Sequence, residues 1–316
     1  MNKAGLSTPV AFFALGLLAC VGAGALAACG GSTTPATHSP TATAVTPSAT
    51  PSIAPAAEPV SRWDAPGTAS LAQAQATTRR YAAALHAKQI PKAGLYTSAS
   101  TWDIHSSDAH FDGAREIEAV YRDAGAYSSW AKGHVLAAPG VGVDEGQYTV
   151  YGTDSTPALS LLAVNGTKIV HEEIFVNEGD TRAVTQYGSA PGPKDTAKVA
   201  ARVGAAVGDA FATGDQAALK ARVASDVLFR DTTLPHDVRG WNALLAWWGK
   251  VPSGVQLTNK RPIAGPGWSV ARWTIRQAFS TGAEVALPGA TVMEVRGGHV
   301  VRMTIYYNAS TMRLQT

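Results

Sequence analysis

Helical spacing of apolar residues gives way to strict alternation along the chain, and this happens twice. The first helix is predicted to begin after Ser70, because Gln73 stands three residues on, at the spacing of a capping box. One stripe along this helix recurs at i, i+3, i+7, i+10 and i+14, and it consists of Leu71, Ala74, Thr78, Tyr81 and Leu85. The chain therefore opens its folded part with a long amphipathic helix.

The remaining elements of the first half follow the same logic. Pro91 is typical of the first turn of a short helix, and Asp112-Gly113 leads into a third helix that carries Ile117, Val120 and Tyr121. Strands are predicted at 100–105, 131–137, 147–152, 159–164 and 168–177.

The second half repeats this plan. Helices are predicted at 198–212, after Asp215 and at 241–248, and strands at 226–231, 255–262, 269–279, 290–295 and 299–308. Helices precede antiparallel strands in both halves. This order predicts an α+β fold in which a curved sheet wraps over three helices, leaving an open end where ligands bind.

A direct repeat supports two copies of one domain. Residues 164–177 read VNGTKIVHEEIFVN and residues 295–308 read VRGGHVVRMTIYYN. Both segments read as a strand end, a tight turn at glycine and a long alternating strand, which indicates a hairpin. Five pairs are identical without a gap: Val164/Val295, Gly166/Gly297, Val170/Val301, Ile174/Ile305 and Asn177/Asn308.

The N-terminal segment predicts export. An uncharged apolar run from Val10 to Leu26 ends in Leu-Ala-Ala-Cys, which resembles a bacterial lipobox with Cys29 as the lipidated residue. Cys20 is a weaker candidate, and an ordinary signal with an incidental cysteine is the alternative. Because Cys20 and Cys29 are the only cysteines, the processed chain keeps no thiol for a disulfide or a nucleophile.

These patterns divide the chain into five parts. We expect a signal peptide at 1–28, a disordered Pro/Thr/Ala/Ser-rich tether at 29–62, a first domain at 63–187, a linker at 188–195 and a second domain at 196–316. The chain would be held by lipid on the extracytoplasmic face of the cell membrane. Its net charge of +3 over 316 residues is too small to indicate nucleic acid binding.

Two short segments resemble the nuclear transport factor 2-like superfamily, in particular its SnoaL-like polyketide cyclase and ketosteroid isomerase branches. The segment Arg80–Leu85 is similar to their first helix, and Asp226–Asp231 followed by Arg239-Gly240 is similar to their strand with the general base. The resemblance implies two cone-shaped domains. Superfamily members include binding proteins, enzymes and interaction modules, so the fold alone does not decide function.

The resemblance implies an incomplete catalytic set in each copy. In copy one, Tyr81 matches the oxyanion tyrosine and His105 falls at the base position; in copy two, Asp231 matches the base, but Val207 replaces the tyrosine. At the position of the family's second oxyanion donor, a protonated aspartate, copy one has Ser160 and copy two has Thr291. Proton abstraction next to a carbonyl needs both a base and donors.

Strand alternation modifies these assignments. Trp102 and Ile104 form the apolar face of their strand, which sends His105 to the opposite face unless a bulge intervenes. In the last strand of copy one, Glu172 is the single carboxyl on the more apolar face, so a general acid or base is one interpretation and a paired buried charge is the other. The residues predicted to contact a bound ligand are Tyr81, Glu172, Phe229, Asp231 and Met303.

Each remaining candidate has a structural alternative. Tyr81 fits a core tyrosine and Asp231 fits a turn cap. The acidic and histidine-rich stretch has no defined metal spacing, so we expect no metal and no cofactor; its residues are Asp103, His105, Asp108, His110 and Asp112. Five tryptophans are expected mostly in the contact between the two copies: Trp241, Trp247, Trp248, Trp268 and Trp273.

Three functions remain open from the sequence. The leading hypothesis is a lipid-anchored protein that binds a small apolar or amphipathic ligand in tandem cone domains. The alternatives are an isomerase or cyclase-like enzyme with Asp231 or Glu172 as base, and an interaction module of the cell envelope. The two repeats are expected to pair within the chain, and a homodimer is left open.

Overall fold

The computed structural model describes residues 66–125, 128–150, 155–177, 193–231, 234, 236–249, 256–259, 261–278 and 284–308. All of them belong to one compact unit, Ala56–Thr316. The predicted signal peptide, Cys29, the tether and most of the linker lie outside the described residues. Within the described part of the chain, no helix has both the length and the apolar character needed to cross a membrane.

The first domain, residues 66–177, begins with the capped helix that the sequence predicts. Ser70 Oγ accepts from the Gln73 amide and the Gln73 side chain accepts from the Ser70 amide, so the capping box is confirmed. The elements are α1 Leu71–His86, α2 Ile90–Ala93, β1 Thr101–Ile104, β2 Ala109–Asp112, α3 Gly113–Gly125, β3 Ser128–Ala138, β4 Val141–Val150, β5 Ser155–Asn165 and β6 Lys168–Val176.

The second domain, residues 193–308, repeats this order. Thr196 caps its first helix and Asp215 caps its second, each through a side-chain oxygen. The elements are α4 Ala197–Thr213, α5 Gln216–Lys220, β7 Val223–Arg230, β8 Val238–Arg239, α6 Trp241–Trp248, β9 Gln256–Asn259, β10 Ile263–Gly265, β11 Trp268–Ala278, β12 Glu284–Arg296 and β13 His299–Tyr307.

The two sheets have the same topology. The first runs β2-β1-β6-β5-β4-β3, and the second runs β8-β7-β13-β12-β11-β10, with β9 also paired to β11. In both sheets the first strand of the domain pairs in parallel with the last, β1 with β6 and β7 with β13, while the other neighbours are antiparallel. The predicted α+β class with two cone domains is confirmed.

Glycine explains the turn of the repeated hairpin, and the elements that the sequence did not predict are short strands. Gly166 and Gly297 have φ of 56° and 57°, the left-handed conformation that favours glycine. The sequence did not predict the short strands β2, β8 and β10. The predicted strand 255–262 corresponds to β9. Because β4 starts at Val141 rather than at 147, residue 144 lies in a strand and not in a loop.

The outer faces of the two sheets pack against each other. One apolar cluster draws from both domains, with Val143, Leu159, Leu161 and Phe175 from the first and Trp268, Val270, Val292 and Tyr306 from the second. The repeated asparagine also crosses this contact, since Asn177 donates to Ile305 O at 2.9 Å and accepts from Tyr307 N at 2.8 Å. Its counterpart Asn308 donates to Ser106 O at 3.0 Å.

The tryptophan prediction was wrong for most of the set. Trp268 lies in the contact between the sheets. The other four pack against the second domain's own core, because α6 and the inner face of β11 turn them inward; these are Trp241, Trp247, Trp248 and Trp273.

Candidate functional site

The inner face of the first sheet carries a buried carboxyl. Glu172 on β6 stands opposite Trp102 on β1 and Leu162 on β5, and none of its surface is exposed. Strand alternation puts Glu172 on the side that faces α1 and α3, as the sequence predicts. The neighbours Glu173 and His171 therefore lie on the outer face.

Three tyrosines from three different segments donate hydrogen bonds to this carboxyl. Tyr81 on α1 and Tyr121 on α3 reach Glu172 Oε1 at 2.6 and 2.7 Å, and Tyr96, which follows α2, reaches Oε2 at 2.5 Å. Tyr81 Oη also lies 3.0 Å from Ser160 Oγ on β5. The helices therefore close over the sheet through one hydrogen-bonded cluster.

The electrostatics of this cluster are dominated by burial. Burial raises the pKa of Glu172 above its ordinary value, and the three tyrosine hydroxyls offset part of that rise because they stabilise the carboxylate. Burial, followed by the nearby Glu172 carboxyl, raises the pKa of Tyr81, Tyr96 and Tyr121 well above the ordinary value. The three hydroxyls therefore remain protonated donors at neutral pH.

A second buried carboxyl shares this interior. Asp144 on β4 stands opposite Ser160, and Ser160 stands opposite Ile174, two residues from Glu172 on β6, so both carboxyls project from one face of the sheet. Asp144 is 1% exposed, and neither of its carboxylate oxygens accepts a hydrogen bond from the described residues.

The surroundings of Asp144 favour its neutral form. Burial raises its pKa to about 7, and the carboxyls of Glu145 and Glu172 add to the rise. The indole of Trp130 opposes the shift, although its N–H does not reach hydrogen-bonding geometry. The first domain thus encloses one carboxyl that tyrosines fully hydrogen-bond and one that they do not reach.

The second domain holds its candidate residues in a different arrangement. Asp231 follows β7, is fully buried and accepts from Tyr307 Oη at 3.3 Å. Phe229 and Met303 are fully buried and belong to the apolar core of this domain, as does Val207 at the position of the missing tyrosine. Thr291 accepts from Trp273 Nε1 at 2.9 Å.

The structure separates His105 from Tyr81, its predicted catalytic partner in the first domain. Its imidazole stacks on Phe175 at 4.4 Å and its Nε2 lies 3.7 Å from Glu173 Oε1, on the outer face of the sheet. No bulge interrupts β1 where it pairs with β6, so alternation holds and His105 points away from Tyr81 and Glu172. Of the four candidate catalytic residues, only Tyr81 and Glu172 meet.

Sequence reasoning missed Tyr96, Tyr121 and Asp144 as parts of this site. Tyr121 was assigned to a helix stripe, which says nothing about the partner of its hydroxyl. Asp144 could have been found from the pattern Gly142-Val-Asp144-Glu-Gly146, which alternates small and acidic residues on the inner face of β4.

One family comparison bears on the second domain. Residues 203–303 match the model of a family described as SnoaL-like domain. This segment runs from α4 to β13, and the strand order of the first domain is the same. No curated protein matches the chain.

Solved structures that resemble the chain each match about a third of it. A provisionally named polyketide cyclase from Xanthomonas campestris pv. campestris is 21% identical and covers 38% of this chain and 97% of its own, with a TM-score of 0.33. An LEH-like epoxide hydrolase from M. tuberculosis is 17% identical, with coverages of 37% and 89% and a TM-score of 0.32. An NTF2-like protein of unknown function from Mesorhizobium loti is 21% identical, with coverages of 36% and 95% and a TM-score of 0.31.

Proposed function

We propose that this chain, whose second half carries a SnoaL-like domain, binds a small amphipathic molecule inside its first domain, with the polar end of the ligand at Asp144. The single observation that carries the proposal is the Asp144 carboxyl, which is buried beside Glu172 and receives no hydrogen bond from the described residues. Burying a carboxyl without a partner costs several kcal/mol or forces it to stay protonated. A ligand hydroxyl or carbonyl would supply the missing partner.

The groups around Asp144 define the chemistry of that ligand. At neutral pH Asp144 exchanges between its acid and its carboxylate, since its pKa is about 7, so it can donate to a carbonyl or accept from a hydroxyl. Ser160 Oγ stands opposite it on β5. The polar end of the ligand is therefore a neutral oxygen function, because a second anion would be repelled by Glu172.

Aromatic residues at the same interior fit an apolar body. Trp102 stacks on Tyr121 with ring centroids 4.6 Å apart and contacts Phe111 at 5.3 Å. Such faces bind apolar rings and chains with little loss of conformational entropy.

Native mass spectrometry of the chain purified from its own host tests binding. The expected result is an extra mass of a few hundred daltons that leaves on denaturation and is reduced in Asp144→Asn. Asp226→Asn is the matched control, because the Asp226 side chain is 75% exposed in the second domain and should leave the extra mass unchanged. A bare protein mass would contradict ligand binding and favour an interaction module.

Proton-transfer catalysis in the same interior is a second candidate function. The observation that favours it is the Asp144 pKa of about 7, which suits a general acid or base at neutral pH. Asp144 stands opposite Ser160, whose Oγ lies 3.0 Å from the protonated Tyr81 hydroxyl. Once the ligand is identified, turnover would appear as isomerised or cyclised product. We expect Asp144→Asn to abolish turnover while retaining the fold, and turnover that survives this change would exclude Asp144 as the base.

We also propose that Cys29 carries lipid and holds the chain on the extracytoplasmic face of the membrane. The support is the Leu26-Ala-Ala-Cys29 sequence after an apolar run, followed by a tether that could extend roughly 100 Å if it is PPII-like. Metabolic labelling with a palmitate analogue should mark the wild type and fail in Cys29→Ser, with Cys20→Ser as the control. Labelling lost only in Cys20→Ser would move the site to Cys20.

A further inference from the structure

The outer face of the first sheet gathers side chains that sequence spacing left apart. Asp103 on β1 stands opposite Glu173 on β6, and His171 lies on the same face two residues earlier. Ligand atoms of these three residues all lie within 4.8 Å of one another. His171 and Glu173 are buried and Asp103 is mostly buried, with a side chain 13% exposed.

The separations between these atoms are too long for direct hydrogen bonds. His171 Nε2 lies 3.6 Å from Asp103 Oδ2 and 3.8 Å from Glu173 Oε1. A charged N–H···O⁻ bond is about 2.7–2.9 Å long. Atoms bound to Zn²⁺ at about 2.0–2.2 Å with tetrahedral angles lie about 3.4 Å apart, which is closer to the observed spacing.

A second layer of contacts orients the same atoms. Thr101 Oγ1 lies 2.6 Å from His171 Nδ1, and an Nδ1–H donated to Thr101 leaves the Nε2 lone pair facing the two carboxylates. Asp103 Oδ1 lies 2.5 Å from His110 Nδ1, whereas Asp103 Oδ2, the oxygen nearer His171, is buried and accepts no hydrogen bond from the described residues.

The charges leave room for a cation. Asp103 and Glu173 are acidic, and Arg272 from the second domain lies 3.1 Å from Glu173 Oε2. Arg272 Nη1 also lies 3.2 Å from Glu173 Oε1, so the guanidinium contacts both oxygens of this carboxylate. The two carboxylates and the one guanidinium together carry a net charge of −1.

We propose that Asp103, His171 and Glu173 bind a divalent transition cation of the Zn²⁺ class where the two domains meet. An imidazole ligand favours such an ion over Mg²⁺ or Ca²⁺, which prefer oxygen ligands alone. Arg272 Nη1 donates to both oxygens of Glu173 and so positions this carboxylate. Because Glu173 also contacts Arg272, a bound ion stabilises the contact between the domains.

Calorimetric titration of the chelator-treated full chain with ZnCl2 tests the site. We expect one bound equivalent that is lost in His171→Gln and in Asp103→Asn. It should be retained in His299→Gln, because His299 is exposed at the start of β13. Zinc held by Cys20 or Cys29 would survive all three changes and is thereby distinguished. Equal binding by wild type and His171→Gln, or no binding at all, would overturn the proposal and leave an ion-pair network between the domains.

Two further measurements do not depend on the folding of those variants. Thr101→Val removes only the group that orients His171 and is expected to weaken Zn²⁺ binding by about 10–100-fold. Crystals of the wild type soaked in Zn²⁺ should give an anomalous peak between Asp103, His171 and Glu173. A peak elsewhere, or unchanged affinity in Thr101→Val, would contradict the site.

Discussion

Asp144 and Glu172 are buried in the same interior, yet their carboxyl groups have different surroundings. Glu172 receives three tyrosine hydroxyls, two of them on Oε1 and one on Oε2. Asp144 receives none from the described residues and has two other carboxyls nearby. Burial raises both pKa values. Three tyrosine hydroxyls offset the rise for Glu172, whereas the Trp130 indole alone opposes it for Asp144.

The pH dependence of stability should report the Asp144 carboxyl. Its pKa is raised from 3.8 to about 7 by folding, so its neutral form supports the fold below pH about 4, and this contribution is lost as the pH rises to about 7. The loss is about 1.4 kcal/mol per pH unit across the window. Asparagine does not titrate, so Asp144→Asn should gain stability relative to wild type between pH 4.5 and pH 8.

Urea denaturation at both pH values measures this difference, with Asp226→Asn as the exposed control. A difference in free energy of unfolding between wild type and Asp144→Asn that does not change with pH would show that Asp144 ionises normally in the folded chain.

The hydroxyl of Tyr96 should contribute more to stability than that of Tyr121, although substitution by phenylalanine removes one hydroxyl in both cases. Tyr96 is the described donor to Glu172 Oε2, whereas Oε1 keeps Tyr81 when Tyr121 is changed. A buried acceptor left without a partner costs about 1–3 kcal/mol. We expect Tyr96→Phe to lower the free energy of unfolding by this amount and Tyr121→Phe by less; equal losses measured by urea denaturation would contradict the unequal sharing.

At the scale of elements, both domains bring their first helix close to the same strand by different means. In the first domain a Cβ on Gly142 of β4 would lie 2.0 Å from Thr78 Oγ1 of α1. In the second domain the glycine is on the helix, and a Cβ on Gly204 of α4 would lie 2.1 Å from Ser269 Oγ of β11. Thr78 and Gly204 hold the same position in their helices, and Gly142 and Ser269 hold the same position in their strands. Each contact therefore needs one glycine, which can be on the helix or on the strand.

This exchange can be tested by transplanting it. Gly142→Ser should destabilise the chain by about 1–3 kcal/mol, because the new side chain overlaps Thr78 in a closely packed contact. Adding Thr78→Gly recreates the arrangement of the second domain and should recover part of the loss, less about 1 kcal/mol for a helical glycine. Thermal and urea unfolding of the single and double variants measure the change in stability. A double variant that is less stable than both single variants would refute the claim that the glycine can be on either element.

At the scale of the whole molecule, the repeated asparagines join the two copies. Asn177 bonds two backbone groups of β13, and Asn308 bonds Ser106 O. Asn177 is fully buried in this contact, where a polar group left without a partner is costly. Asn177 and Asn308, which are identical in the two copies, therefore both take part in the contact between the domains.

Asn177→Ala should lower the stability of the entire unit. Loss of the side chain leaves Ile305 O and Tyr307 N without their asparagine partner, at about 1–3 kcal/mol for each group that finds no other. Scanning calorimetry should show a lower transition temperature, whereas Asn242→Ala, at an exposed position of α6, should leave it unchanged. An unchanged transition in Asn177→Ala would mean that the domains unfold independently of this contact.

The sequence determined the elements and their order. Capping at Ser70, glycine at the turn of each hairpin and apolar periodicity are local properties, so they could be read without knowing the fold, and the repeat doubled the evidence. Alternation along β6 and β1 also placed Glu172 inward and His105 outward, because successive side chains of a strand point to opposite faces. The short strands β2 and β8 carry too few residues for a period.

Only the tertiary structure decided which residues meet. Tyr96, Tyr121 and Asp144 lie in three separate segments, namely the loop after α2, helix α3 and strand β4. No spacing along the chain records that the first two segments direct their hydroxyls to Glu172 while β4 brings Asp144 to the same interior. The same holds for Asp103, His171 and Glu173, where the parallel pairing of β1 with β6 joins residues about seventy positions apart. Strand pairing and helix packing are long-range, so the chemistry they assemble is not encoded in any local pattern.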